Sequence, residues 1–474
     1  MKSNKINAIS LFELAFKKVP GYRRFLKSKN FDPGLIKNLE DFKKLPITDK
    51  KSYLQKYSLG DLFCEGKFPP IVYASSGSSG KPTFWFRGDE QETRGGDIHR
   101  TIFEKIFGIN KNDPTLVVIC FSMGVWVAGN YTATSCRQLA QKGFNLSIIS
   151  PALDKEDIFN ALRNLAPLYK NLVIAGYPPF IMDVINEALA KGINLPENVK
   201  FLTAGDKFSE GWRDSLMKLL GKKNESTFAI SLYGSADALV LGHETPLSIF
   251  IRRESLKDQK LYYEIFGEES TLPALVQYDP DDTYFEEIDG ELVITAPMAI
   301  PLVRYNIHDR GKIISHIAMK DLLIRYGLIG KAGDNLKDWE LPFIVLKGRT
   351  DVAVTFYAIN IYPEHIKAGL EAKSISRFLT GSFVTHNKTL NKGKDHKLYV
   401  DVELVQDVAS SEGLRTLINN ELVKKLIEFN IEYRKLYFAI DQKAVPTLRL
   451  VDCGKLKATD GIIYLKGKKP KVVL

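Results

Sequence analysis

Between Thr115 and Lys191 the chain alternates short β-rich runs with helix-like stretches: TLVVIC (Thr115 to Cys120), NLSII, a helical pattern from about Asp154, NLVIAG, and a further helix up to Lys191. Strands separated by helices return to one sheet in parallel, with the crossovers covering its faces. This rhythm predicts an α/β fold built on a mostly parallel sheet. After Leu261 the pattern changes to short strands with acidic turns, ending in GELVITA (Gly290 to Ala296), which predicts an antiparallel or small barrel-like subdomain. From about Gly348 a helix after Tyr362-Pro363, the alternating strand KLYVDVELV, a helix from about Ser411 to Phe429 and the strand TLRLV predict a small α+β domain. At 474 residues and 45% hydrophobic, the chain exceeds one ordinary core. The expected division is an N-terminal domain over residues 1–348 and a C-terminal domain over 349–474, joined by a compact hinge.

Several function classes are excluded by what the chain lacks. No uncharged apolar run reaches the length of about eighteen residues that crosses a bilayer, and the opening MKSNKINAISLFELAFKKVP interleaves charge with apolar residues. The expectation is a soluble, cytoplasmic protein with no membrane partner. Cys64, Cys120, Cys136 and Cys453 lie far apart in sequence, so neither a zinc cluster nor a disulfide framework is expected. The net charge of +10 comes from 66 basic residues mixed among 56 acidic ones, with a single compact basic stretch, LKGKKPKVVL, near the C-terminus. Such mixing argues against nucleic acid and suits an anionic small molecule.

The segment YASSGSSGKPTFWF (Tyr73 to Phe86) carries the most chemistry. Small hydroxylated residues and glycines let backbone N–H groups close around phosphate oxygens, while a lysine adds positive charge. A Walker loop needs a hydroxyl residue directly after the lysine to reach magnesium, and here Pro82 follows Lys81. The bland alternative is a Gly/Ser surface turn.

The run from Ser75 through Pro82 to Thr83 resembles the phosphate loop of adenylate-forming ligases, and further segments follow in that superfamily's order. DFKKLPITDKKSY (Asp41 to Tyr53) is similar to the lead-in of its phenylacetate–CoA ligase branch. AGDKFSE (Ala204 to Glu210) and SLYGSAD (Ser231 to Asp237) resemble its adenine-site segments. GELVITAPMAIPLVRYNIHDRG (Gly290 to Gly311) looks like the strand whose closing aspartate grips the ribose, and GRTDVAVTFYAINIYPEHI (Gly348 to Ile366) like the hinge motif. Taken singly, Tyr233 reads equally as a core aromatic, Asp309 as a turn residue and Arg349 as a solvated charge; the ordered series carries the resemblance.

The resemblance implies ATP, magnesium and coenzyme A as ligands, a carboxylic acid as substrate, and a C-terminal domain that moves. It implies that Ser75, Ser76, Gly77, Ser78, Ser79, Gly80 and Lys81 hold the phosphates and that Gly205, Tyr233 and Gly234 shape the adenine site. Asp309 and Arg349 fall to the ribose, Asp351 to the hinge, and Lys468, with Lys455 as rival, to the α-phosphate. Asp237 stands where the family has a metal-assisting glutamate, one methylene longer. Ala358 replaces the glycine beside the pantetheine path, and Asn306-Ile307-His308 replaces the usual residues before the ribose aspartate. His308 reads more readily as structural than as catalytic.

Trp126 and Tyr177 match segments lining the acyl pocket, which leaves an aryl acid and a fatty or other acyl group both open. Three readings therefore stand: a CoA ligase, an adenylating enzyme that passes the acyl group to an amine, hydroxyl or carrier-protein thiol, and a nucleotide-binding protein that has lost catalysis. Whether the chain works alone or as a homodimer is likewise open.

Overall fold

The computed structural model describes residues 8–75, 83–205, 207–223, 225–268, 272–349, 353–357, 359–390, 395–457, 461–464 and 471–473. After helices Ala8–Lys18 and Pro20–Ser28 the chain forms an antiparallel hairpin of β1 (Ile71–Ser75) and β2 (Thr83–Arg87). The alternating rhythm then becomes β3 (Thr115–Cys120), β4 (Leu146–Ile149), β5 (Asn171–Gly176), β6 (Asn198–Thr203) and the first half of β7 (Ala229–Ser235), all paired in parallel. β3 and β5 are buried at every position, as strands covered on both faces must be. Gly176 is closely packed, and a Cβ there would come 3.0 Å from the Cys120 carbonyl oxygen. Helix Pro178–Ala190 starts directly afterwards with proline in its first turn, where no backbone N–H is needed.

The pairing turns antiparallel from β8 (Leu239–His243), earlier in the chain than the change expected after Leu261. β9 (Ala274–Gln277), β10 (Tyr284–Ile288), β11 (Glu291–Ala296), β12 (Leu302–Ile314) and β13 (Phe343–Arg349) continue the same ladder. Among the described residues, eleven strands thus join in the order β10-β11-β12-β13-β9-β8-β7-β6-β5-β3-β4.

The C-terminal stretch builds its own sheets. β14 (Val354–Phe356) and β15 (Ile359–Ile361) form a hairpin. β16 (Leu379–Leu390), β17 (Asp395–Leu404), β18 (Thr447–Val451), β19 (Gly461–Tyr464) and β20 (Lys471–Val473) align as β18-β17-β16-β19-β20. Helices Pro363–Leu370, Glu412–Phe429 and Ile431–Ile440 accompany them, with the Ser411 hydroxyl capping the second of these at Leu414. No described helix is long and apolar enough to cross a membrane, and all four cysteines are free thiols.

Candidate active site

Of the sequence-nominated residues, Trp126, Tyr177, Gly205, Tyr233, Gly234 and Asp237 lie at or just beyond the carboxyl ends of the parallel strands, the edge at which open α/β sheets bind ligands. Cys120 ends β3 and leads to Trp126, Gly176 ends β5 and leads to Tyr177, Thr203 ends β6 and leads to Gly205, and β7 runs out through Tyr233 and Gly234 to Asp237. Gly205 has φ +82, a left-handed turn suited to glycine. A Cβ at Gly234 would collide with the Leu239 carbonyl oxygen.

β12 supplies the facing wall. Its Asp309 accepts a hydrogen bond from the Tyr233 hydroxyl at 2.7 Å, and its Tyr305 hydroxyl donates to the Asp237 carboxylate. Asp309 pairs in register with Arg349 of β13. The Pro-x-Thr lead-in clips onto this strand: the Thr48 N–H donates to the Arg304 carbonyl at 2.9 Å, and the Asn306 N–H donates to the Thr48 carbonyl at 2.8 Å. His308, at φ +60, lies 3.7 Å from Glu291 on the neighbouring strand, which fits a structural role.

The β1–β2 hairpin brings in Ser75, whose hydroxyl accepts from the Trp85 indole N–H at 2.8 Å. It also brings in Arg87, which sequence reasoning missed. The guanidinium donates to the carbonyls of Ala236 and, at 2.9 Å, of Asp237, so it fixes the turn that presents the Asp237 carboxylate. Burial pulls the Arg87 pKa down to about 10, with Asp237 opposing the shift, and the group remains charged at neutral pH. The available signal was a single arginine closing the otherwise aromatic strand TFWFR.

The loop after β6 is held by a buried ion network. Arg213 spans Glu210 and Glu244, and Arg252 bonds both carboxylates, at 2.8 and 2.7 Å. Burial pushes the Glu210 carboxyl up, but the arginines outweigh it and hold it below its ordinary value. Four charges removed from water are tolerable because each meets an opposite partner.

Tyr177 is buried, its ring edge-on to Phe121 at 5.0 Å, and burial pushes its hydroxyl pKa up to about 12. Trp126 is also buried, with Lys435 of the C-terminal stretch 5.6 Å above its ring. Ser76, Gly77, Ser78, Ser79, Gly80, Lys81, Asp351, Ala358 and Lys468 lie outside the described residues, as does the Arg349 side chain. Lys455 pairs with Asp452 at 2.9 Å.

No set of three or more metal-type ligands occurs among the described residues. A single carboxylate such as Asp237, oriented by Tyr305, nevertheless fits magnesium, which is commonly held by one or two carboxylates together with substrate phosphates.

No family model matches the chain. It is 24% identical to the phenylacetate-coenzyme A ligase of Pseudomonas putida over 452 residues, 94% of this chain and 89% of that protein. The phenylacetate-coenzyme A ligase of Thermus thermophilus is 21% identical over 377 residues, 76% of this chain and 73% of that protein. In fold, the chain matches a crystal structure of 2-hydroxyisobutyryl-CoA ligase with 2-HIB-AMP and CoA in its thioesterification state, with a TM-score of 0.65 at 17% identity, covering 97% of this chain and 87% of that one. Against the same ligase with 2-HIB-AMP in its postadenylation state the TM-score is 0.52, at 17% identity and 96% and 86% coverage.

Proposed function

We propose that this chain, which resembles the phenylacetate–CoA ligase-like branch of the adenylate-forming enzymes in sequence and fold, activates a carboxylic acid with ATP and passes the acyl group to coenzyme A. The observation that carries the reading is the joining of Tyr233 to Asp309 and of Asp237 to Tyr305, which brings two separate motif segments together where β7 runs out against β12.

In the first half-reaction a carboxylate oxygen attacks the α-phosphorus of ATP, an acyl–phosphate bond forms, and pyrophosphate leaves. Charge grows on phosphoryl oxygens, so positioning and electrostatic stabilisation are the main requirements. Ser75 to Lys81 would cradle the phosphates, Asp309 and Arg349 the ribose, and Lys468, or Lys455 in its place, the α-phosphate. Tyr233 holds the ribose carboxylate in place as it lines the adenine site with Gly205 and Gly234. Magnesium, held by Asp237, would supply neutralising charge on the phosphates; Arg87 and Tyr305 fix the carboxylate for it. Trp126 and Tyr177 would wall the acyl pocket.

In the second half-reaction a thiol sulfur bonds to the acyl carbon, AMP leaves, and the thiol proton passes to solvent. A C-terminal domain over 349–474 would turn about Asp351 between the two half-reactions, in the cytoplasm. Ala358, where the family has glycine, favours one second reading: adenylation followed by transfer to an amine, a hydroxyl or a carrier-protein thiol. Pyrophosphate release over a panel of acids beginning with phenylacetate, with and without coenzyme A, tests both. Release with thioester supports the ligase, release without thioester supports the second reading, and no release with any acid removes both.

A further inference from the structure

Asp183 lies on helix Pro178–Ala190, less than two turns from the proposed acyl-wall residue Tyr177, and is 4% exposed. One carboxylate oxygen accepts from the Lys443 ammonium at 2.6 Å and the other from the Tyr357 hydroxyl at 3.2 Å. Both donors belong to the C-terminal stretch. Burial pushes the Asp183 carboxyl up, and Lys443 draws it back. A carboxylate so far removed from water is costly unless its partners stay in place.

Tyr357 forms the tip of the β14–β15 hairpin, immediately before Ala358. Its φ is +48, a conformation that a bulky residue adopts only under outside restraint. The ring is packed edge-on to Phe356 at 4.9 Å and to His396 at 5.3 Å, and the hydroxyl reaches Asp183. A further contact joins the C-terminal stretch to the earlier part of the chain: Lys435 lies over the Trp126 ring and 3.4 Å from the Met123 carbonyl oxygen. The hairpin tip is therefore bolted to helix Pro178–Ala190, and Asp183 is the buried charge at the centre.

We propose that Asp183 is a positioning residue for acyl transfer: with Lys443 and Tyr357 it latches the hairpin tip onto helix Pro178–Ala190 and selects the orientation of the C-terminal stretch that serves the second half-reaction. This rests on the two-step reading above. Adenylation, which draws on Lys468 from the same stretch, takes place with the latch open.

The test uses full-length protein carrying Asp183→Ala, Lys443→Ala or Lys443→Glu, with phenylacetate, ATP and coenzyme A as probes. Lys443 is half exposed, so its replacements leave the fold intact even where Asp183→Ala does not. Each variant should release pyrophosphate within about twofold of the unmodified rate while single-turnover transfer from preformed acyl-adenylate falls about tenfold, most in Lys443→Glu, where two carboxylates face each other. Small-angle scattering of the unliganded proteins gives a readout independent of activity: Lys443→Glu should be more extended than the unmodified chain. Transfer and scattering both unchanged, or equal losses in both half-reactions, would overturn the latch. If the unmodified chain releases no pyrophosphate with any acid, the two-step reading fails and scattering alone decides whether Asp183 holds the two parts together.

Discussion

The Tyr233 hydroxyl donates to the Asp309 carboxylate at 2.7 Å, tying the exit of β7 to the middle of β12 across 76 positions of sequence. Both groups are buried, with Tyr233 8% and Asp309 7% exposed, so the bond is sheltered from water and sets the direction of the carboxylate. If Asp309 grips the ribose hydroxyls, Asp309→Ala removes charge-assisted bonds of about 1.5–3 kcal/mol each, and the apparent ATP affinity falls at least tenfold. Tyr233→Phe removes only the orienting bond and should weaken ATP by a smaller factor, about three- to tenfold. Pyrophosphate release against ATP concentration measures both; an unchanged ATP dependence in Asp309→Ala would make that residue a strand constituent only.

Arg87 gives a prediction in which stability and metal dependence move together. Replacement by Met keeps the aliphatic bulk but leaves the Ala236 and Asp237 carbonyls without their donor in a buried setting. The melting midpoint should drop by an amount equivalent to about 1–3 kcal/mol, and the magnesium concentration needed for half-maximal activity should rise. A destabilised variant with the magnesium dependence of the unmodified protein would show that Arg87 supports the fold without presenting Asp237.

The parallel sheet was legible because TLVVIC and NLVIAG are apolar at every position after the first and separated by helix-length intervals; both are fully buried strands. The capping serine before helix Glu412–Phe429 and the proline opening helix Pro363–Leu370 were readable for the same local reason. Tyr233, Asp237 and Asp309 were legible as members of motifs, and the structure adds that the first and last are hydrogen-bonded to each other. What escaped reading depends on pairs distant in sequence. Arg87 meets Asp237 over 150 positions and Asp183 meets Lys443 over 260. An isolated arginine or aspartate looks the same whether it faces solvent or a buried partner, so no local pattern announces either role.

A buried imidazole sets a pH limit on stability. His99 is fully buried in helix Asp89–Thr101, its Nδ1 bonded to the Gly95 carbonyl at 2.8 Å, and burial depresses its pKa to about 4. An unfolded chain carries histidine near its ordinary value of about 6.5, so in this window the unfolded state binds the extra proton. The stabilisation is complete above about pH 6.5 and is lost progressively as pH falls towards 4, up to about 3 kcal/mol. Chemical denaturation from pH 7 to pH 4, compared with His99→Gln, checks it: the variant should show a shallower decline over that interval, and parallel curves would assign the acid sensitivity elsewhere.

On the proposed reading, the acyl acceptor is decided next to Tyr357. The residue after it, Ala358, carries a methyl where the resembling family has hydrogen, beside the strand pair Phe356↔Ile359 that closes the β14–β15 hairpin. If, as the family resemblance implies, pantetheine reaches the acyl carbon along this hairpin, a methyl group that intrudes there slows thiol entry and leaves adenylation untouched. Ala358→Gly should then raise coenzyme A-dependent turnover with pyrophosphate release unchanged. Glycine also relaxes the backbone next to the left-handed Tyr357, at a cost to hairpin stability of roughly 0.5–1 kcal/mol, so the gain must be read from single-turnover transfer and not from yield of folded protein. Rapid thioester formation by the unmodified chain, equal to that of Ala358→Gly, would show that the passage has already adjusted to the methyl. Vigorous adenylation without thioester in either protein would transfer the second step to an amine, hydroxyl or carrier-protein acceptor.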